Sequence, residues 1–512
     1  MLFVACLWIM SSSSKETKKE SWLDALHRGA QADRGAWAAS RRDGATFSAP
    51  IEPQRVVSSK TSSASPLESE EQWYYYLSNE GARKLPHYQY HGTDLSLLYK
   101  YVLSPFAAKC VDYLTPTWVA PNAITAFGLC WMVLSYTVIW YYCPGLYEAN
   151  TDISKVVNYH VPPAIFLLNG CAMLIYQTLD NMDGKQARKV GASSPLGLLF
   201  DHGCDAMNLI LGSANWIAAM ALIPGNMSDV LSSSSSSVGG ENFQSKSLLS
   251  HFLGGDANLA LILILAPMIA FFITTWEQYY TGSLTLPPFN GPSEGLVMGA
   301  SLSIVSYFYG PMFWQTTSLT DGMIESFGIV SFLNHRVRNM DLIVFAAIVS
   351  LVQEVGLKLI SVTRKYGLST LRLTIPHVLL VTSTIVMVRY DTTIFLRNPR
   401  TMCHLISGLF TEHTTQLMMN HMVDEKYEWS ERWCVFPQVF LAVWIMTGVS
   451  SNETLDSILF LYTTLLWVYL AFKISVQVSE ICDALGIYCF DIVTVHPNKQ
   501  KIVGSEPTKK TN

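Results

Sequence analysis

The chain has 512 residues, half of them hydrophobic and only 14% charged, where a globular chain carries about 25%. A net charge of −5 offers no basic surface for nucleic acid, and ten scattered cysteines without a C-x-x-C pair give neither a zinc site nor a disulfide framework. The composition is that of a polytopic membrane protein. The apolar opening Met1–Met10 lacks a basic flank and a cleavage site, and residues 11–70 are rich in Ser, Lys, Arg, Glu and Ala. Residues 1–70 therefore read as an uncleaved, disordered tail. Residues 71–490 read as one all-α membrane domain, and residues 491–512 as a polar tail.

Within the domain, His91–Leu114 places apolar and aromatic residues at helical spacing before Pro116 and Pro121. It predicts an amphipathic helix at the membrane interface, capped by Thr93 or Asp94. Ten spans are expected near 122–142, 162–180, 196–223, 258–276, 296–316, 342–361, 370–390, 401–422, 434–450 and 456–477, each approaching the ~20 residues a bilayer requires. The span near 401–422 carries His404, Glu412, His413, Gln416 and Asn420 and should lie inside the bundle. The 224–257 loop, with six serines at 232–237, reads as a flexible insertion. Lys185, Arg188, Lys189, Arg364, Lys365, Arg372, Lys426 and Arg432 fall on one side of a ten-span arrangement. That side, with both termini, should be cytosolic, although Arg389, Arg397 and Arg400 run against the pattern.

Between the second and third expected spans lies LDNMDGKQARKVGASSPLGLLFDHGCD, with aspartates at 180, 183, 201 and 205. In helices, each pair three or four apart shares a face. Four carboxylates at the end of a membrane helix pair are costly, and a divalent cation such as Mg²⁺ resolves their repulsion. Two such ions can clamp a diphosphate. Gly184 allows close backbone approach, and Arg188 offers a fork of donors to phosphate oxygens. His202, beside Asp201 and three before Asp205, can accept a proton from an alcohol.

Asp180, Asp183, Gly184, Ala187, Arg188, Gly197, Asp201 and Asp205 form the spacing Asp-x2-Asp-Gly-x2-Ala-Arg-x8-Gly-x3-Asp-x3-Asp. This resembles the signature of the CDP-alcohol phosphotransferase family. DNMDGKQAR, SSPLG and FDHGCD, with LSLLYKYVLSPF, WVAPNAIT and TWEQYYTGSLTLPPFNGPSEG, resemble its choline/ethanolamine branch. The resemblance covers roughly 85–490 and implies a helix bundle of about ten spans, commonly a homodimer. The membrane would be that of the endoplasmic reticulum or the Golgi, with the active site facing the cytosol. It implies two Mg²⁺ ions, or Mn²⁺ in their place, held by Asp180, Asp183, Asp201 and Asp205, and contacts to the CDP-alcohol from Asn122, Gly184, Ala187 and Arg188. Phosphocholine or phosphoethanolamine would pass from CDP-choline or CDP-ethanolamine to diacylglycerol, giving the phospholipid and CMP. The base would be His202 as in the branch, or Asp205 as in the wider family. Many members of the branch carry Glu four residues before this His. Here that position is Leu198, which leaves Asp205 or Glu277 to orient the ring.

Two other readings compete. A phosphatidyltransferase using CDP-diacylglycerol and a polar alcohol would share the signature, but such enzymes are shorter, near six spans. A metal-ion transporter could use the aspartates, but a second copy of the motif is missing and Arg188 suits phosphate better than cations.

Overall fold

Two prolines end one helix and begin the next. α1 (Ser104–Leu114) stops at Thr115, before Pro116, and α2 (Pro121–Tyr142) starts on Pro121, whose missing N–H costs nothing in a first turn. The computed structural model describes residues 74–149, 160–222, 247–321, 337–449 and 451–494. The expected disordered tail 1–70, most of the serine-rich loop and the residues beyond 494 lie outside these. The described chain is mostly helical, continuing through α3 (Ala164–Val190), α4 (Pro195–Ala219), α5 (Asp256–Thr281), α6 (Leu296–Tyr309) and α7 (Asn339–Tyr366). It ends with α8 (Ile375–Tyr390), α9 (Pro399–Met422), α10 (Phe436–Met446) and α11 (Asn452–Leu485).

A helix occupies each of the ten expected segments, yet five are long and apolar enough to cross a membrane: Pro121–Tyr142, Asn258–Thr281, Asn339–Tyr366, Leu368–Tyr390 and Asn452–Leu485. The remainder have evident reasons. α3 and α4 carry the aspartates. α9 carries Arg400, Glu412 and three histidines. α6 and α10, of 14 and 11 residues, extend only about 21 and 16 Å at the helical rise.

The amphipathic segment differs from its expectation at the start. Gly92–Asp94 (β1) pairs in parallel with Leu284–Leu286 (β2), so the chain is extended where the helix was to begin. Ser96, rather than Thr93 or Asp94, accepts the Tyr99 N–H at 2.9 Å and opens the helical stretch. Asp94 instead binds the loop after β2, accepting from Asn290 Nδ2 at 3.0 Å and Ser293 Oγ at 2.8 Å. Leu97, Tyr101, Phe106, Tyr113, Leu114 and Trp118 are all exposed.

A buried polar seam ties four helices. Asn169 Oδ1 of α3 accepts from Ser135 Oγ of α2 at 2.7 Å and Asn215 Nδ2 of α4 at 2.8 Å, and its amide donates to Ser303 Oγ of α6 at 2.8 Å. Beside it, Gly170 lets α6 pass so close that a Cβ there would sit 2.9 Å from the Ala300 carbonyl oxygen. As expected, α9 is an interior helix. Glu412 Oε1 accepts from Arg432 Nη1 and from Lys473 Nζ, both at 2.7 Å, joining α9 to α11 in the core.

Candidate active site

The site forms where α3 ends and the chain turns back. Gly191 takes the left-handed conformation, φ 66°, that closes α3, and Ala192 N–H binds the Ala187 carbonyl at 2.9 Å. Ser194 then caps α4, accepting the Gly197 N–H at 3.1 Å, with Pro195 in the first turn. This short connection lays the second aspartate pair against the first. Carboxylate oxygens of Asp180, Asp201 and Asp205, all half-buried, lie within 4.8 Å of one another.

The fourth aspartate is beside this group rather than in it. Asp183 is buried, and its Oδ2 accepts a hydrogen bond from Thr125 Oγ1 of α2. Asp205 Oδ1 accepts from Tyr176 Oη at 2.6 Å. Asp180 Oδ1 and Asp201 Oδ1 are buried with no hydrogen-bond partner among the described residues. Unpaired, clustered carboxylate oxygens are destabilising unless protons or cations neutralise them. Hard oxygen donors in this arrangement fit a divalent metal ion.

Around the cluster, Gly184 lies half-buried one turn before Arg188. The exposed guanidinium folds back so that a Cβ on Gly184 would be 3.5 Å from Arg188 Nη1. Ala187 is half-buried on the same turn. Asn122 opens α2, its Oδ1 3.5 Å from where a Cβ on Gly197 would stand, while its amide donates to the Cys489 carbonyl at 3.0 Å. The C-terminal segment thus closes over the start of α4, and Phe490 meets Phe200 edge-on at 5.5 Å. Lys189 turns from the carboxylates to donate to the Val111 carbonyl of α1 at 2.7 Å, and Lys185 lies 5.4 Å over the Tyr99 ring.

His202 Nδ1 is buried without a hydrogen-bond partner among the described residues. Its ring meets Tyr90 at 6.4 Å and Phe271 at 6.1 Å, both edge-on. Partial burial, then the charge of Asp201, push the Tyr90 hydroxyl above its ordinary pKa. Glu277, a candidate to orient His202, is engaged elsewhere, 3.3 Å from Lys358, which also pairs with Glu354 at 3.2 Å. Phe271, more than one turn earlier on α5, is the residue that faces His202. Leu198 packs against the cluster of Met418, Met419 and Met422, an apolar setting for the position where the branch carries Glu.

Three contributors escaped the sequence reading. Tyr176, one turn before Asp180, was within reach of the helical rule. Thr125 and Tyr90 are brought in by tertiary structure and carry no local signal. An apolar cavity of about 650 Å³, lined by Phe106, Phe127, Leu179 and Met182 among others, lies between α1, α2 and α3. It opens on a different face of α3 from Asp180.

Residues 118–232 match the model of the CDP-alcohol phosphatidyltransferase family. The choline/ethanolaminephosphotransferase 1 of Arabidopsis thaliana is 30% identical over 437 residues, covering 81% of this chain and 98% of the plant protein. An uncharacterised class-I member from Dictyostelium discoideum is 27% identical over 447 residues, 82% of this chain and 99% of its own length. The choline/ethanolaminephosphotransferase 1 of Saccharomyces cerevisiae is 31% identical over 247 residues, 48% of this chain and 52% of the yeast protein.

Proposed function

The chain belongs to the CDP-alcohol phosphatidyltransferase family, and we propose that it transfers phosphocholine or phosphoethanolamine from the CDP-alcohol to 1,2-diacylglycerol. The observation that carries this reading is the convergence of Asp180, Asp201 and Asp205 with two unpartnered carboxylate oxygens. The relatives named choline/ethanolaminephosphotransferase support the choice of substrates.

Asp180, Asp183, Asp201 and Asp205 would hold two divalent ions, Mg²⁺ by the hardness of the donor set. When bound, the ions would supply charge neutralisation to the diphosphate and to the departing phosphate. Arg188, whose guanidinium folds back beside Gly184, would bind diphosphate oxygens. Asn122 and Ala187 border the same space and would contact the CDP-alcohol. Binding there requires the Cys489 carbonyl to share or release the Asn122 amide.

Diacylglycerol would reach the site from the bilayer through the spans. His202 takes the proton of its hydroxyl, and its Nδ1 has no hydrogen-bond partner among the described residues. The oxygen bonds to the phosphorus bearing the aminoalcohol, the bond from that phosphorus to the CMP oxygen breaks, and CMP leaves with the electron pair. Tyr176 fixes the Asp205 carboxylate. Ten spans, an endoplasmic-reticulum or Golgi membrane, a cytosolic active site and a homodimer complete the proposal.

The test is detergent-purified protein with Mg²⁺, diacylglycerol and either labelled CDP-choline or CDP-ethanolamine. Labelled phospholipid is expected from at least one donor. Product only from CDP-diacylglycerol with a polar alcohol such as inositol would reassign the chain within its family.

A further inference from the structure

We propose that Tyr90 forms the aromatic wall receiving the cationic head of the CDP-aminoalcohol and discriminates a quaternary from a primary ammonium. This rests on the transfer reaction proposed above. Three observations carry it.

The first is place. The Tyr90 ring meets His202, the chain neighbour of Asp201, at 6.4 Å. The reacting phosphorus must lie between His202 and the aspartates. Only two carbons separate the phosphate oxygen from the ammonium nitrogen in choline or ethanolamine. The head therefore falls in the neighbourhood of Tyr90.

The second is availability. Tyr90 is 44% exposed. Phe271, the other ring against His202, packs on Phe410 at 5.8 Å. Tyr99 already carries the Lys185 ammonium over its ring. Tyr90 is thus the ring with an aromatic face to offer. A cation over such a face is attracted by its quadrupole, and a trimethylammonium, which cannot donate hydrogen bonds, depends on that attraction more than a primary ammonium does.

The third is rigidity. Tyr90 folds back over Gly92, where any Cβ would collide with its hydroxyl and ring. Gly92 itself pairs with Leu284 across the two short strands. The His91 carbonyl accepts the Leu284 N–H at 2.8 Å, and Asp94 is pinned by Asn290 and Ser293. The backbone beside Tyr90 is thus fixed, which lowers the entropic cost of presenting the ring.

The experiment compares KM and kcat for CDP-choline and CDP-ethanolamine in the purified full chain and its variants. Tyr90→Leu should raise KM for CDP-choline about 10-fold, the size of a partly desolvated cation–π contact. KM for CDP-ethanolamine should move less, and kcat for both should change little. Tyr90→Phe should keep the wild-type ratio of the two KM values. Gly92→Ala, which displaces the ring without deleting it, should shift the ratio in the direction of Tyr90→Leu, and it replaces that variant if Tyr90→Leu does not fold. An unchanged KM ratio in both Tyr90→Leu and Gly92→Ala would overturn the assignment. Loss of the wild-type ratio in Tyr90→Phe would make the hydroxyl, not the ring face, the determinant, and would overturn it as well. A wild-type protein inactive with both donors overturns the transfer reaction instead, and this inference falls with it.

Discussion

Asp180 Oδ1 and Asp201 Oδ1 are buried on facing helices and neither meets a donor among the described residues. Beside them, Thr125 and Tyr176 each commit a hydroxyl to one aspartate, Asp183 and Asp205. These hydroxyls orient the two carboxylates, as supporting contacts around a metal do. His202 has a related character, with Nδ1 unpartnered among the described residues and two aromatic rings edge-on to it. Neither candidate position supplies it a carboxylate: Leu198 is apolar and Glu277 pairs with Lys358. If His202 takes the acceptor's proton, His202→Ala should abolish turnover while donor affinity stays near wild type, because the base touches diacylglycerol and not the CDP-alcohol. The measurement is kcat beside donor binding by the same variant. Retention of ~10% or more of kcat would give the proton to Asp205, since losing a general base ordinarily costs ~10²-fold or more. The four aspartates and His202 were legible because they fall in 26 residues of two adjoining helices. Tyr90 and Thr125 were not, because they come from segments some 110 and 58 residues away along the chain from their partners and neither has a residue type that marks it.

At the scale of elements, hydropathy placed a helix in each of ten segments, since a run of apolar residues at helical period has few other uses in a membrane chain. The segment beginning at His91 shows what such a reading misses. Its pattern is helical, but β2 lies almost 200 residues later and captures Gly92–Asp94 through backbone hydrogen bonds. Local periodicity carries no trace of that partner. The interior placement of α9 was legible from His404, Glu412 and His413, since lipid would not tolerate them. Its ion cluster with Arg432 and Lys473 was not. α3 and α6 meet closely at Gly170. Gly170→Ala would drive a methyl against the Ala300 carbonyl and Ile304. Overpacking of this kind typically costs ~1–3 kcal/mol. A lowered melting temperature of the detergent-solubilised variant, with wild-type donor and acceptor KM in the fraction that folds, is expected. An unchanged melting temperature would mean that α6 moves aside freely.

At the scale of the whole molecule, the turn between α3 and α4 decides on which side of the membrane the chemistry takes place. Lys185, Arg188 and Lys189 cluster there, and such clusters stay on the cytosolic side. Ser193 in that turn is exposed, whereas Ser194 is committed to capping α4. A cysteine at Ser193, in a background stripped of accessible thiols, should react with an impermeant reagent in opened cells or inverted vesicles only. Labelling from the lumenal side would reverse the orientation.

The central claim is that the aspartate cluster runs a metal-dependent transfer. It is tested most directly by head-group transfer from CDP-choline or CDP-ethanolamine to diacylglycerol in wild type and Asp201→Ala, each with Mg²⁺ or with chelator. Wild type should turn over with Mg²⁺, stop with chelator and recover on re-addition of the metal. Asp201→Ala, expressed and folded, should be slower by well over ~10²-fold at every Mg²⁺ concentration, since the metals supply most of the charge stabilisation. Near-normal turnover by Asp201→Ala, or wild-type turnover that survives chelation, would contradict the account.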